Sequence, residues 1–415
     1  MSLFTSLYSG TSGLLANSEE LSTVGDNIAN ANTIGFKSSR VSFSDQLSQS
    51  LLGGGQVGLG SRVQLVQKII TQGALTSTGL ATDLAIQGDG LFVVRGQHNG
   101  QTGTYYTRAG QFTVDGSGAL VNLEGLRVQG YAADSAGVVG TTLGDLDVGK
   151  ATSQPSATAN ISLKANLQAD AAIPAAWSPA NPAGTSNFST GLTVYDSLGT
   201  AHQVDVYFRR TGAGAWEWHA LADGGGLTGG TAGTATQIAS GTLAFNATGA
   251  LTSATQASTF NPLNATNPQP LAFDFSAMTQ FSAASAVSFA SQDGHASGDL
   301  AKISIDAMGN VSGAFTNGTS RVLGQVALAR FSAPDRVERL GGTLLGATQG
   351  SGQATVGAAG AGGRGTLVAG ALEQSNVDLA EEFVRMIAAQ RGFQANSKTI
   401  STADQLLQEL MTIKR

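Results

Sequence analysis

Apolar residues recur every seven positions near each end of this 415-residue chain, and that spacing constrains its fold more than any other feature. Leu7, Leu14, Leu21 and Ile28 form one such series, with Leu3 and Val24 on the same face. The pattern predicts a helix over residues 3–30. Gly10, Asn17 and Gly25 fall within it, so the helix is weak on its own. Leu379, Met386, Phe393, Ile400 and Leu407 form the second series and predict a helix over residues 376–414. Ser375 or Asn376 can cap it, Asp378, Glu381 and Glu382 suit its positive end, and Lys414 and Arg415 its negative end. A seven-residue repeat implies left-handed supercoiling. The neighbouring seam, Phe383, Gln390, Ser397, Asp404 and Met411, is polar in its middle, which fits lateral packing among several helices better than a two-stranded coil. Neither stripe has an evident partner within the chain, so Ile400 is expected to be wet in a free subunit.

Between these helices the chain reads as β. The spacing Asp/Asn-x-x-Gly recurs at Asp115–Gly118, Asp134–Gly137, Asp196–Gly199, Asn246–Gly249 and Asp306–Gly309. Asp or Asn bonds the backbone at the start of such a turn, and Gly accepts the left-handed conformation that closes it. Asn99-Gly100 and Asn317-Gly318 are further turn candidates. The fold class is therefore mainly β with helical termini: long helices flanking two β domains, the second inserted into the first. Residues 31–70, with Gly53-Gly54-Gly55, read as an extended, irregular connector. Residues 71–147 and 297–370 read as the first β domain. Residues 148–296 hold all three tryptophans and seven of the eight prolines, and read as the insert. The Gly/Ala-rich run 346–365 reads as a loop or irregular edge.

Composition narrows the function. Only 12% of residues are charged, 56 are Gly, and the net charge is −6 with no basic stretch, which argues against nucleic acid or an anionic membrane as partner. No apolar run approaches the ~18 residues of a membrane span, so no membrane insertion is expected. The first thirty residues lack Lys, Arg and a continuous apolar block, unlike a cleaved secretory signal. With no cysteine, disulfides and the usual structural zinc sites are excluded. His98, His202, His219 and His295 are scattered. Gly53-x-Gly55-x-x-Gly58 matches a dinucleotide fingerprint in spacing but is followed by strand-like alternation instead of a helix. Residues 144–150 approach a phosphate loop, yet Ala151 offers no hydroxyl and Asp145 and Asp147 repel phosphate. Glu373, Glu381 and Glu382 suit a helix dipole or a solvated surface. No catalytic residue, cofactor or metal is expected, and the chain does not read as an enzyme.

Two motifs then carry a resemblance. Asn27-Ile28-Ala29-Asn30-Ala31-Asn32-Thr33-Ile34-Gly35-Phe36-Lys37 resembles the N-terminal signature of the bacterial flagellar rod and hook axial protein family. Residues 375–383 and 390–396, containing Asn376, Gln390 and Asn396, are similar to its C-terminal signature. Asp26 stands where many members have Asn. Residues 106–112 and 128–131 resemble the family's first β domain, and residues 192–200 a segment of hook members, whereas distal rod members are shorter. The resemblance covers roughly residues 1–150, 190–210 and 297–415. It implies a hook subunit that polymerises with itself into a flexible tubular joint passing motor torque from rod to filament. The helices of residues 1–30 and 371–415 would form its inner tube. It further implies type III export without a cleaved signal, an extracellular place on the flagellum, and rod, hook-cap and hook–filament junction proteins as partners. A distal rod subunit, or a secreted adhesin-like β protein, is the alternative.

Overall fold

A computed structural model describes residues 3–47 and 58–413; the glycines at 53–55 and the basic pair Lys414 and Arg415 lie outside the described residues. The chain separates into two compact units. One holds residues 1–151, 302–314 and 320–415, the other residues 152–301 and 315–319.

In the first unit, helix α1 (Leu3–Ala29) and helix α2 (Leu379–Ile413) pack against each other. Gly10 of α1 faces Ile400, Gly13 faces Asn396, and Asn17 faces Gly392, so the pair is antiparallel. Glycine is what permits this approach: a Cβ on Gly10 would stand 2.8 Å from Ile400 Cγ1, and one on Gly392 2.5 Å from Asn17 Oδ1. Ala16, Val24, Ala389 and Ala403 are buried. This corrects two expectations. The stripes do have a partner within the chain, namely each other, and Ile400 is half-buried on Gly10 instead of wet.

The cap of α2 is neither Ser375 nor Asn376 but Asp378, whose Oδ1 accepts from the N–H groups of Ala380 (2.9 Å) and Glu381 (3.2 Å). Residues 371–378 are likewise not helical: Ala371–Glu373 is a strand paired with Leu75–Ser77. The connector is more regular than expected. Ser39–Leu47 pairs antiparallel with Gly58–Lys68, from Ser39 opposite Lys68 to Leu47 opposite Gly58. This ribbon lies on α1, where Gly60 (φ 97°) comes within van der Waals contact of Ser9 and Ser12. Gly58, the last glycine of the dinucleotide-like spacing, starts its second strand.

The sheet of this unit centres on Ser320–Arg330, which pairs with Arg127–Ala133, Leu91–His98 and Thr355–Ala358. The last of these lies inside the run read as a loop or irregular edge. Leu91–His98 turns through Asn99-Gly100, both at positive φ, into Gln101–Thr107. Leu91, Val93, Tyr106, Ala329, Phe331 and Val337 form one of its buried clusters.

The second unit has a sheet ordered Phe188–Tyr195, Ala201–Gly212, Ala215–Asp223, Ala235–Phe245, Leu251–Ala254. A second sheet surrounds Asn160–Gln168, which pairs parallel to Ala272–Asp274 and Thr279–Phe281 and antiparallel to Ala286–Gln292. Both sheets feed one core around Trp216, Trp218, Phe208, Phe273 and Phe275. All five Asp/Asn-x-x-Gly turns form as read: each Gly N–H donates to the carbonyl three residues earlier at 3.0 Å, with φ between 80° and 93°.

Candidate assembly surface

The signature residues sit where the two ends of the chain meet the first β unit. Asn27, with no exposed surface, ends the buried face of α1. Its Oδ1 accepts from Ser39 N–H (2.9 Å), and its Nδ2 donates to Ser39 O (2.7 Å) and to Glu382 Oε1 (3.2 Å). Asn30 Nδ2 donates to the Asp26 carbonyl (2.9 Å) and its Oδ1 accepts from Thr33 Oγ1 (3.1 Å), stabilising the turn after the helix. Gly35 takes φ 71°, and a Cβ there would meet Ala109 N at 2.5 Å. Phe36 lies under the Arg339 guanidinium, 4.6 Å from its ring centroid. In the segment between strand Ala371–Glu373 and α2, Asn376 accepts from Ser38 N–H (2.7 Å) and donates to Ile69 O (2.9 Å). Asn396 is half-buried in the helix seam and donates to Gly392 O (3.0 Å). Asn32 and Gln390 are exposed, and the structure does not bring them into this junction.

At its centre lies Glu373, fully buried, a residue the sequence reading left on a solvated surface or a helix dipole. Its Oε1 takes Lys37 Nζ (2.5 Å) and Gly73 N–H (2.9 Å), and its Oε2 takes Arg108 Nε. Arg108 also donates to the carbonyls of Ile86 (2.9 Å) and Gly88 (2.7 Å). Burial pushes the Glu373 carboxyl up, but Arg108, Lys37 and the Gly73 amide outweigh it and hold it below the usual glutamate range. Burial lowers the Lys37 ammonium despite the same contact, and the Arg108 charge adds to the lowering. The carboxylate, served by both, sets the sign for the cluster. A buried charge persists only when so partnered. No local pattern marks Glu373, since its partners lie 265 and 336 residues away.

The heptad residues divide. Leu7, Leu14, Leu21, Ile28, Met386, Ile400 and Leu407 are half-buried, whereas Leu379, Phe383 and Phe393 are exposed. Beside them lie apolar residues the seven-residue spacing missed: Tyr8 and Leu15 on α1 are 70% and 73% exposed, and Val384 on α2 67%; Met411 of the neighbouring seam is 75% exposed. Ile387 and Leu406 are exposed too. A helical pair this apolar on its outside is a surface built for burial against further protein. No described helix is long and apolar enough to cross a membrane. Among the described residues no group of three or more metal-ligating side chains converges.

Comparison with known proteins agrees along the chain. Family models match at residues 7–37 (Flagella basal body rod protein), 85–171 (Flagellar hook protein FlgE/F/G D1 domain), 166–295 (Flagellar basal body protein FlaE D2 domain) and 368–413 (Flagellar basal body rod FlgEFG protein C-terminal). The flagellar hook protein FlgE of Borreliella burgdorferi is 36% identical, with 99% of this chain and 100% of the relative covered. That of Escherichia coli K12 is 35% identical over 97% of this chain and 98% of the relative. That of Salmonella typhimurium is 36% identical, with the same coverage.

Proposed function

The chain belongs to the flagellar hook protein family, and from that premise we propose that many copies polymerise through their paired terminal helices into a bendable tube. It is a structural subunit of the hook, and its place is the flagellum. In our reading α1 and α2 line the inside of the tube and the β units face outward. The tube joins rod to filament and passes torque through an angle. The subunit is exported by the type III route, meets the rod, the hook cap and the junction proteins, and performs no catalysis.

The observation that carries this reading is the exposed apolar face of the helix pair. Tyr8, Leu15, Val384 and Ile387 together remain in water on the isolated subunit, a cost that lateral contacts between copies remove. The β units supply the softer part of the joint: turns closed by glycine and few charges allow outer contacts to slide while the helices hold.

The experiment is electron microscopy of cells lacking the chain, beside cells carrying it. Rods without hooks or filaments are expected, with hooks restored by the intact gene. Normal hooks in the deletion strain would overturn the reading.

A further inference from the structure

The surface left outside the helix pair divides into two stripes that point away from each other. Within the pair, Gly10, Gly13 and Asn17 of α1 lie against Ile400, Asn396 and Gly392 of α2. A residue two places along a helix sits about 200° round from its neighbour, on the far side. Tyr8, Leu15 and Glu19 each stand two places from Gly10 or Asn17, so they face away from α2, and all three are exposed. On α2, Ile387 and Arg391 stand two places from the buried Ala389, and Lys398 two places from Asn396 and Ile400. These three are exposed as well and face away from α1. The outer stripes lie on opposite sides of one subunit, and neither covers the other within it.

Their charges are opposite and unanswered. No Lys or Arg occurs in α1 from Leu3 to Ala29. Of its acids, Asp26 is paired with Arg339 and Glu20 lies near Arg385, which leaves Glu19 without a cation among the described residues. Conversely, α2 carries no acid over residues 383–403. Its Arg385 is tied to Glu381, 2.6 Å away, whereas Arg391 and Lys398 have no carboxylate in reach among the described residues. Setting α1 of one copy on α1 of another would oppose anion to anion, and α2 on α2 would oppose cation to cation; like charges facing across an interface are unfavourable. Setting α1 on α2 joins apolar to apolar and Glu19 to a cation. A contact between two different faces of one chain is heterologous, so it propagates from copy to copy instead of closing as a two-fold dimer.

We propose that the outer stripe of α1 packs on the outer stripe of α2 from a second copy of the chain, with Glu19 ion-paired to Arg391 or Lys398 of that copy. Those two cations stand two turns apart on one stripe, so the one that Glu19 meets reports the axial offset between neighbouring copies. The proposal rests on the hook reading and adds which face of each helix meets which.

The test uses the full-length chain with Leu15 replaced by photoreactive p-benzoylphenylalanine, polymerised from a mixture of isotopically heavy and light copies and irradiated. Mixed-mass cross-links from position 15 to residues 384–402 are expected, and the same replacement at Tyr8 stands in if the first variant does not assemble. Charge reversal gives a second readout. Glu19→Lys is expected to raise the concentration needed for polymer about tenfold, the size of a lost close charge pair, with the melting curve of the free subunit unchanged. Adding Arg391→Glu or Lys398→Glu is expected to reverse most of that rise in one of the two double variants. Cross-links confined to one copy, or joining α1 to α1, overturn the pairing of faces while leaving the hook reading standing, as do two double variants no better than Glu19→Lys. A wild-type chain that forms no polymer under any condition overturns both.

Discussion

Asn27 Nδ2 lies 3.2 Å from Glu382 Oε1, joining the end of the first helix to the first turns of the last across 355 residues of sequence. Both side chains are buried, and the same Asn27 exchanges two bonds with the backbone of Ser39. One amide therefore fixes three things: where α1 stops, where the ribbon of residues 39–68 starts, and how α2 sets out. The family signature is at this point a packing solution and not a binding site.

Replacing it tests that role. Asn27→Ala strips the Ser39 N–H and carbonyl of their Asn27 partner in a dry junction and leaves Glu382 Oε1 with only Arg385, 3.7 Å away. Each buried group so stranded costs about 1–3 kcal/mol, and neighbours in one network do not simply add. A loss of about 3 kcal/mol in urea unfolding is expected, with faster amide exchange across residues 24–40. A loss under roughly 0.5 kcal/mol, the range of an ordinary surface substitution, would show that the junction is held by something else.

Acid acts on the Glu373 cluster with a defined sign. The folded carboxyl titrates below its ordinary 4.5, so the folded state holds that proton less readily than the unfolded chain does. The stabilisation is therefore complete above the unfolded value and is lost as pH falls through the folded one. Stability is expected to decline below about pH 5. Glu373→Gln is expected to remove this part of the decline and to cost about 3–5 kcal/mol at neutral pH, since it strands Lys37 and Arg108. Chemical denaturation from pH 3 to 7 of both proteins checks it; parallel curves would assign the acid sensitivity to other groups.

Much of this was legible in the residues, for physical reasons that also explain the rest. The Asp/Asn-x-x-Gly turns were readable because cap and closing glycine lie within four residues. The terminal helices were readable from their period. Their mutual packing was not, because the closest contacts fall at Gly10, Gly13 and Gly392, where the informative feature is a missing side chain. The strand Gly58–Lys68 showed as alternation after the glycines, but its partner Ser39–Leu47 hid behind serines and a glycine-rich stretch. Glu373 had no local signal at all.

The helix glycines separate space from propensity. Gly25 has nothing within 4 Å of where a Cβ would stand, so Gly25→Ala is expected to stabilise the subunit by about 0.5–1 kcal/mol. Gly10→Ala carries the same gain in propensity, but its methyl would sit 2.8 Å from Ile400 Cγ1. It is expected to be neutral or destabilising, by up to about 2 kcal/mol. Melting curves showing equal stabilisation by both would mean that α1 and α2 are not in contact in the free subunit.

Two aspartates on α2 distinguish packing within a subunit from packing between subunits. Ile400 lies against Gly10 of its own chain and is half-buried. Ile400→Asp therefore places a carboxylate in the seam between α1 and α2 and is expected to lower the stability of the free subunit by about 1–3 kcal/mol. Any loss of polymer then has two causes and proves little about the interface. Val384, on the same helix, is 67% exposed, so Val384→Asp changes a wet position and is expected to leave the free subunit within about 0.5 kcal/mol of wild type. In the proposed polymer the outer face of the pair is buried. Losing a valine there costs roughly 1.5 kcal/mol, and enclosing an unpaired carboxylate costs several kcal/mol more. A total of about 4 kcal/mol is nearly a thousandfold in each association step. Thermal melts of the purified subunits, with sedimentation and electron microscopy of what they assemble, give both quantities. Normal polymer from Val384→Asp would mean that this stripe faces solvent in the tube, and that the copies meet through another surface.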